Sequence, residues 1–115
     1  MPETSPTQSQ AIYRKAASLF GLAQKAGRVV TGEDAILRAI RTGAAKFVAV
    51  AADASYNTKK LYSDKSAFYH VPCRELPLTR DELSHAVGKN NRPAICVTDE
   101  GFANAILKLW SSIEE

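Results

Sequence analysis

This chain of 115 residues holds only two cysteines and two histidines. Cys73 and Cys96 lie far apart and form no C-x-x-C. Neither His70 nor His85 belongs to an H-E-x-x-H or has a cysteine at ligand spacing, so the sequence supports no metal centre. His70 is read as ending a helix and His85 as lying on a helix surface. No apolar run approaches the roughly 20 residues of a membrane span, which excludes a helical membrane anchor as the expectation. There is no phosphate-cradling G-x-x-x-x-G-K-[ST]: in GLAQKAGRVVTG, Lys25 precedes the turn where that motif needs a lysine after it. No serine is flanked as in G-x-S-x-G, and no nucleophile, base and orienting group fall into a set, so neither an enzyme nor a cofactor is expected. The opening MPETSPTQSQ has no basic region and no apolar run; residues 1–10 are read as a disordered lead, not a secretory signal. With both cysteines in apolar, strand-like runs, buried packing in a reducing, cytoplasmic setting is expected.

What remains is an ordinary globular composition, 45% hydrophobic and 23% charged, of a length that suits one core. Residues 11–113 are read as a single, monomeric domain. Its charge is unevenly spread. Residues 14–60 carry nine Lys/Arg against three acids, and the rest of the chain carries six against nine. A polarised basic half is the electrostatic footprint of a nucleic-acid site, although a plain solvated surface reads the same way.

Helices and strands alternate. Ile12, Ala16, Leu19, Phe20 and Ala23 make the buried stripe of a first helix that stops at Gly27. RVVT is a short strand. Residues 33–42 form a second helix with Ile36, Ala39 and Ile40 inward and Gly43 as its stop. KFVAVAA reads as a strand covered on both faces. A third helix follows DASYNTKK to about Tyr69, and Pro72 confines VPCREL to a sheet edge or strand start. LTRDELSHAVG carries a capping box, Thr79 with Glu82. After the polar loop KNNRP comes the strand AICVT. DEGFANAILKLW opens a last helix with Phe102, Ile106, Leu109 and Ile113 on one face. The pattern implies an α/β fold, a three-layer α/β/α sandwich with a four-stranded central sheet.

Two places carry candidate chemistry. Asp53, Asp99 and Glu100 stand at strand ends, where active sites of open α/β sheets lie, but Asp53 and Asp99 are also good helix caps. The stretch VVTGEDAILRAIRTG is more specific. Gly32 removes the side chain that would hold a partner away from a helix start, where free N–H groups and the positive end of the dipole collect. Glu33 or Asp34 can cap that start themselves. Alternatively the start faces phosphates and base edges, with Arg38 one turn beyond Asp34 on the same face and suited to paired bonds with guanine or phosphate.

These residues resemble a known family. GLAQKAGRVVTGEDAILRAIRTGAAKFVAVAADAS is similar to the first half of the kink-turn RNA-binding ribosomal proteins, and ELSHAVGKNNRPAICVTDEGFANAIL to their second half. The likeness spans about residues 11–110 and is closest to a small bacterial, YlxQ-like branch. It implies the same α/β/α sandwich and binding of structured RNA, ribosomal or ribosome-associated, without catalysis. It also implies a site. The start of the second helix enters the kink turn beside sheared G·A pairs, through Gly32, Glu33, Asp34 and Arg38. The loop before the last strand covers a flipped-out nucleotide, through Lys89, Asn90, Asn91, Arg92 and Ile95. Arg28 supplies charge for the RNA backbone. The chain departs from the family where Asp34-Ala35 replaces an Asn-Glu or Lys-Gln pair and Val30 replaces a common lysine. Ionised Asp only accepts hydrogen bonds, whereas Asn and Gln also donate. That departure leaves a second reading open: an adaptor in ribosome assembly that binds ribosomal or assembly proteins through a decayed RNA site.

Overall fold

The structure, a computed structural model, describes the backbone of residues 8–114 and the side chains of residues 11–111. In chain order the elements are α1 (Gln8–Lys25), β1 (Val29–Thr31), α2 (Glu33–Thr42), β2 (Phe47–Ala51), α3 (Tyr56–Phe68), β3 (Cys73–Leu76), α4 (Arg80–Ala86), β4 (Ala94–Val97) and α5 (Glu100–Glu114). Helix α1 begins at Gln8, so its first turn overlaps the end of the lead assigned to residues 1–10; residues 1–7 lie outside those described.

The four strands form one sheet in the order β1-β4-β2-β3. β4 runs antiparallel to both of its neighbours, and β2 and β3 run parallel. The period-2 alternation of side chains divides the core into two layers. Phe47, Ala49 and Ala51 of β2 and Ile95 and Val97 of β4 meet Ala16 and Phe20 of α1, Leu83 of α4, and Ala103, Ile106 and Trp110 of α5. Val48 and Val50, with Ala94 and Cys96, face the other way, against Ile36, Ala39 and Ile40 of α2 and Tyr62 of α3. The result is the expected α/β/α sandwich. β2 and β4 are buried at every position, which is why both read as unbroken apolar runs. Pro72 stands just before β3, and β3 is an edge strand whose Arg74 and Glu75 remain exposed.

The buried stripe of α5 is rotated from the expected one. Ala103, Ile106 and Trp110 are fully buried, whereas Phe102 and Leu109 only pack against the rim; the Ile113 side chain lies outside those described. Trp110 causes the shift: it stacks on Tyr13 of α1 with ring centroids 5.8 Å apart, and its large ring takes the centre of the stripe. On α1, Ala16, Phe20 and Ala23 are buried, with Ile12 and Leu19 at the margin.

Cys73 and Cys96 pair in register with Val48 from opposite sides. Two strand spacings of about 4.8 Å hold their Cα atoms further apart than the roughly 7 Å a disulfide can span, and both are free. Burial raises the Cys96 thiol to about 12. Burial also raises Cys73, partly offset by contact with Ser66.

The capping box of α4 is complete. The Glu82 N–H donates to Thr79 Oγ1 at 3.1 Å, and the Thr79 N–H donates to Glu82 Oε1 at 2.8 Å. Thr79→Ala is expected to lower the unfolding free energy by about 1 kcal/mol, read as a shift of the denaturant midpoint at unchanged slope. A midpoint that does not move would mean that the box adds nothing to stability.

Candidate functional site

The strand register gathers the candidate residues at one end of the sheet. Thr31, the last residue of β1, lies opposite Ile95, and Val50, near the end of β2, lies opposite Ala94. The start of α2, the loop after β2 and the loop entering β4 therefore share that end.

Helix α2 starts unlike its neighbours. Ser55 caps α3 by accepting from the Thr58 N–H at 3.1 Å, Thr79 caps α4, and Asp99 caps α5 by accepting from the Phe102 N–H at 2.9 Å. The N-cap of α2 is Gly32, at φ 93° and ψ 138°, and no side chain caps it. The first intrahelical bond runs from the Ile36 N–H to Gly32 C=O at 2.9 Å. The N–H groups of Glu33, Asp34 and Ala35 precede it and point out of the helix end. Neither Glu33 nor Asp34 takes up the capping role open to it. Both are exposed, as are Ala35 and Arg38, and Arg38 forms no ion pair among the described residues. Their carboxylates act inward as well. Tyr62, buried beneath α2, has its phenol raised to about 12, first by burial and then by the negative charge of Glu33, with smaller contributions from Cys96 and Asp34. At neutral pH it is an uncharged floor under the helix start.

The other half of the site is the loop of residues 88–93. Lys89, Asn90 and Asn91 are exposed, and Asn91 holds a left-handed φ of 52°. Asn is one of the few side chains that tolerates that region, because its short amide can bond locally. Two α4 residues that the sequence reading passed over fix the loop. The buried hydroxyl of Ser84 accepts from the Arg92 N–H at 2.6 Å and donates to Arg92 C=O at 3.2 Å. Arg80 Nη1 donates to Asn91 Oδ1 at 3.2 Å, and its Nη2 donates to Asp53 C=O at 3.3 Å. The signal for Ser84 was its polarity at a position four residues from Arg80 on a short amphipathic helix; nothing local pointed to Arg80. Arg92 Nε is buried and has no hydrogen-bond partner, a cost of about 1–3 kcal/mol for an ordinary donor. An open hollow beside the loop is lined by Asp81, His85, Lys89 and Asn90 among others.

Two of the expected site residues lie elsewhere. Ile95 is 0% exposed and faces the α1, α4 and α5 layer. It is a core residue: the alternation along β4 turns its side chain inward, so it is corrected out of the contact set. Arg28 precedes β1 at the opposite end of the strand, where its C=O accepts from the Thr98 N–H at 2.9 Å. Four residues of extended chain, about 13 Å, separate it from Gly32.

The strand-end carboxylates do not converge. β2 and β4 are antiparallel, so Asp53 after one and Asp99 after the other stand at opposite ends of the sheet. Asp53 is a cap, but of a helix distant in sequence: its Oδ1 accepts from the Arg80 N–H at 2.7 Å. Among the described residues no group of His, Cys, Asp and Glu is arranged to hold a metal ion, and no helix is long and apolar enough to cross a membrane.

Residues 14–107 match the ribosomal protein L7Ae/L30e/S12e/Gadd45 family. The chain is 43% identical over 91 residues to the RNA-binding protein YlxQ of Bacillus subtilis (strain 168), an alignment that covers 79% of this chain and 90% of the relative. It is 45% identical over 96 residues to the RNA-binding protein YlxQ of Enterococcus faecium, covering 84% and 91%. Among solved structures, a protein of unknown function from Bacillus halodurans superposes with a TM-score of 0.80 at 35% identity, covering 84% of this chain and 97% of that one. The Giardia lamblia 15.5kD RNA binding protein shares the fold, with a TM-score of 0.72 at 14% identity over 99% of this chain and 93% of its own.

Proposed function

Because the chain belongs to the ribosomal protein L7Ae/L30e/S12e/Gadd45 family, we propose that it binds a structured, kink-turn-like RNA, ribosomal or ribosome-associated, through the start of α2 and the loop of residues 88–93. The observation that carries the reading is the uncapped helix start at Gly32, set at the same end of the sheet as that loop. Two relatives named as RNA-binding proteins support it. The two free cysteines, Cys96 buried and Cys73 half-buried, fit a reducing cytoplasm.

The chemistry follows from the groups present. The N–H groups of Glu33, Asp34 and Ala35, with the helix dipole behind them, meet electronegative atoms of the RNA. Asp34 is acceptor-only. It takes a hydrogen bond from guanine N1–H or N2–H₂ and repels phosphate, so it is aimed at bases. Arg38 offers a planar fork to guanine O6 and N7 or to a phosphate. Lys89 and Arg92 add positive charge beside Asn90 and Asn91. An adaptor that binds ribosomal or assembly proteins is the second reading, and Ala35, whose side chain makes no hydrogen bond, favours it.

Fluorescence anisotropy with a kink-turn duplex, and with the same duplex whose sheared G·A pairs are made Watson–Crick, separates these readings. The expected outcome is binding to the intact kink turn alone, weakened in Arg38→Ala. With about three phosphates neutralised, log K falls against log salt with a slope of roughly −2 to −3. Equal affinity for both duplexes would reduce the proposal to general RNA binding. No affinity for either in low salt, together with saturable binding to a ribosomal or assembly protein, would replace it with the adaptor.

A further inference from the structure

The α4–β4 loop is held in part by a residue at the other end of α4. Arg80 is the first residue of α4, and it makes three hydrogen bonds to two residues. Its N–H donates to the Asp53 carboxylate at 2.7 Å, its Nη2 to Asp53 C=O at 3.3 Å, and its Nη1 to Asn91 Oδ1 at 3.2 Å. It thereby ties the end of β2 to the loop that enters β4. The residue it grips is the one non-glycine of that loop with a left-handed backbone, at φ 52°, a conformation that Asn tolerates and that persists where the surroundings hold it. The next residue, Arg92, is gripped by Ser84 at both its N–H and its C=O. One turn of α4 thus clamps two consecutive loop residues, one through an amide side chain and one through the backbone.

We propose that Arg80 is a positioning residue for RNA recognition: its guanidinium holds Asn91, and with it Lys89 and Asn90, in the conformation that meets the RNA. The inference rests on the RNA-binding reading above and adds to it a residue that acts through the loop and not on the nucleic acid. The fork already has protein acceptors: Nη1 faces Asn91 Oδ1 and Nη2 faces Asp53 C=O, so turning the group to grip a phosphate would break the tie between the two loops. The guanidinium geometry matters because two acceptors on different loops must be met at once, and a lysine ammonium on its flexible stem does not reproduce that fork.

A positioning role and a phosphate contact predict different salt behaviour. Losing a phosphate contact reduces the steepness of log K against log salt by about 1, while losing a positioning residue lowers affinity at every salt with the slope preserved. Arg80→Met and Arg80→Lys are each expected to bind the kink-turn duplex about fivefold more weakly than wild type, the scale of one net hydrogen bond, with an unchanged salt slope. Asn91→Gly keeps the backbone free to adopt positive φ and removes the acceptor. It is expected to weaken binding similarly, and Arg80→Met combined with it to add little more, since both changes delete the same bond. In the free protein, the Arg92 amide is expected to exchange faster in Arg80→Met, because the loop it anchors is looser. Restored binding in Arg80→Lys together with a shallower slope in Arg80→Met would overturn the proposal and make Arg80 a phosphate ligand. Unchanged affinity in all variants would overturn it too. Absence of RNA binding in the wild type would instead overturn the function itself, and the exchange measurement would still report whether the clamp exists.

Discussion

Phe20→Ala is expected to lower the unfolding free energy by about 3–5 kcal/mol, the range for truncating a fully buried phenylalanine. Phe20 is 0% exposed and belongs to the layer shared by α1, α4, α5 and the sheet. That layer has little freedom to close over a void. Next to Phe20, a Cβ built on Gly21 would stand 3.3 Å from Ala86 C=O, so the backbones of α1 and α4 are already near their closest approach. Packed side chains from β2 and β4 form the floor. With a total stability of about 5–15 kcal/mol for a domain of this kind, such a loss is a large fraction of the whole. A domain near 100 residues loses about 4–8 °C per kcal/mol, so thermal melting followed by circular dichroism is expected to show a drop on the order of 15 °C or more. A drop below about 5 °C would mean that the layer refills the space.

The second large effect is functional, and it concerns the two glycines that bracket α2. Gly32 begins the helix at φ 93° and ψ 138°, and Gly43 ends it at φ 85° and ψ 3°, its N–H bonded to Ile40 C=O at 3.4 Å. A Cβ at either position meets nothing within 4 Å. The cost of a side chain there is backbone strain and not collision, about 1–3 kcal/mol at each. Gly32→Val, which puts a β-branched residue outside the left-handed α region, should therefore destabilise the protein more than Gly43→Ala, which lies inside it. Their effects on RNA should differ. In Gly32→Val a β-branched residue forced to positive φ at the N-cap would unsettle the alignment of the open N–H groups, with an expected loss of about tenfold or more in affinity, the equivalent of one charge-assisted hydrogen bond. Gly43→Ala alters the far end of the helix, and its affinity should stay within about twofold once stability is matched, since surface changes away from a contact shift energies by no more than about 0.5 kcal/mol. Denaturant titration and anisotropy on the same pair of variants measure both quantities. Equal affinities for the two variants would remove the start of α2 from the proposed interface.

The layered architecture is legible in the sequence because its signals are local. The 3.6-residue stripes of α1 and α2, the continuous apolar runs at β2 and β4, the Thr79–Glu82 box and Pro72 ahead of an edge strand each depend on a few neighbouring residues. What the sequence hides depends on pairing between distant segments. The antiparallel run of β4 against β1 and β2 separates Asp53 from Asp99 and draws Gly32 toward residues 88–93, and no local pattern encodes that register. Arg80 escapes notice for the same reason: its partners, Asp53 and Asn91, are 27 and 11 residues away. Ile95 is the opposite case. Its place in an apolar run already marks it as core, and the implied contact fails because alternation along β4 turns it inward. The stripe of α5 is misread by one position since a tryptophan outweighs the periodicity around it.

The order of the strands also fixes when the site comes into being. β1 has one partner, β4, and β4 is the last strand of the chain although it lies inside the sheet, between β1 and β2. During synthesis, at roughly 5–20 residues per second, the first three strands exist for some seconds without the one that joins them. β1 then has nothing to pair with, Gly32 has no fixed relation to the end of β2, and residues 88–93 are still to come. The intervening chain of more than 60 residues must also close before that pairing is rewarded. The nascent protein therefore lacks the proposed site, which comes together only when β4 inserts between β1 and β2.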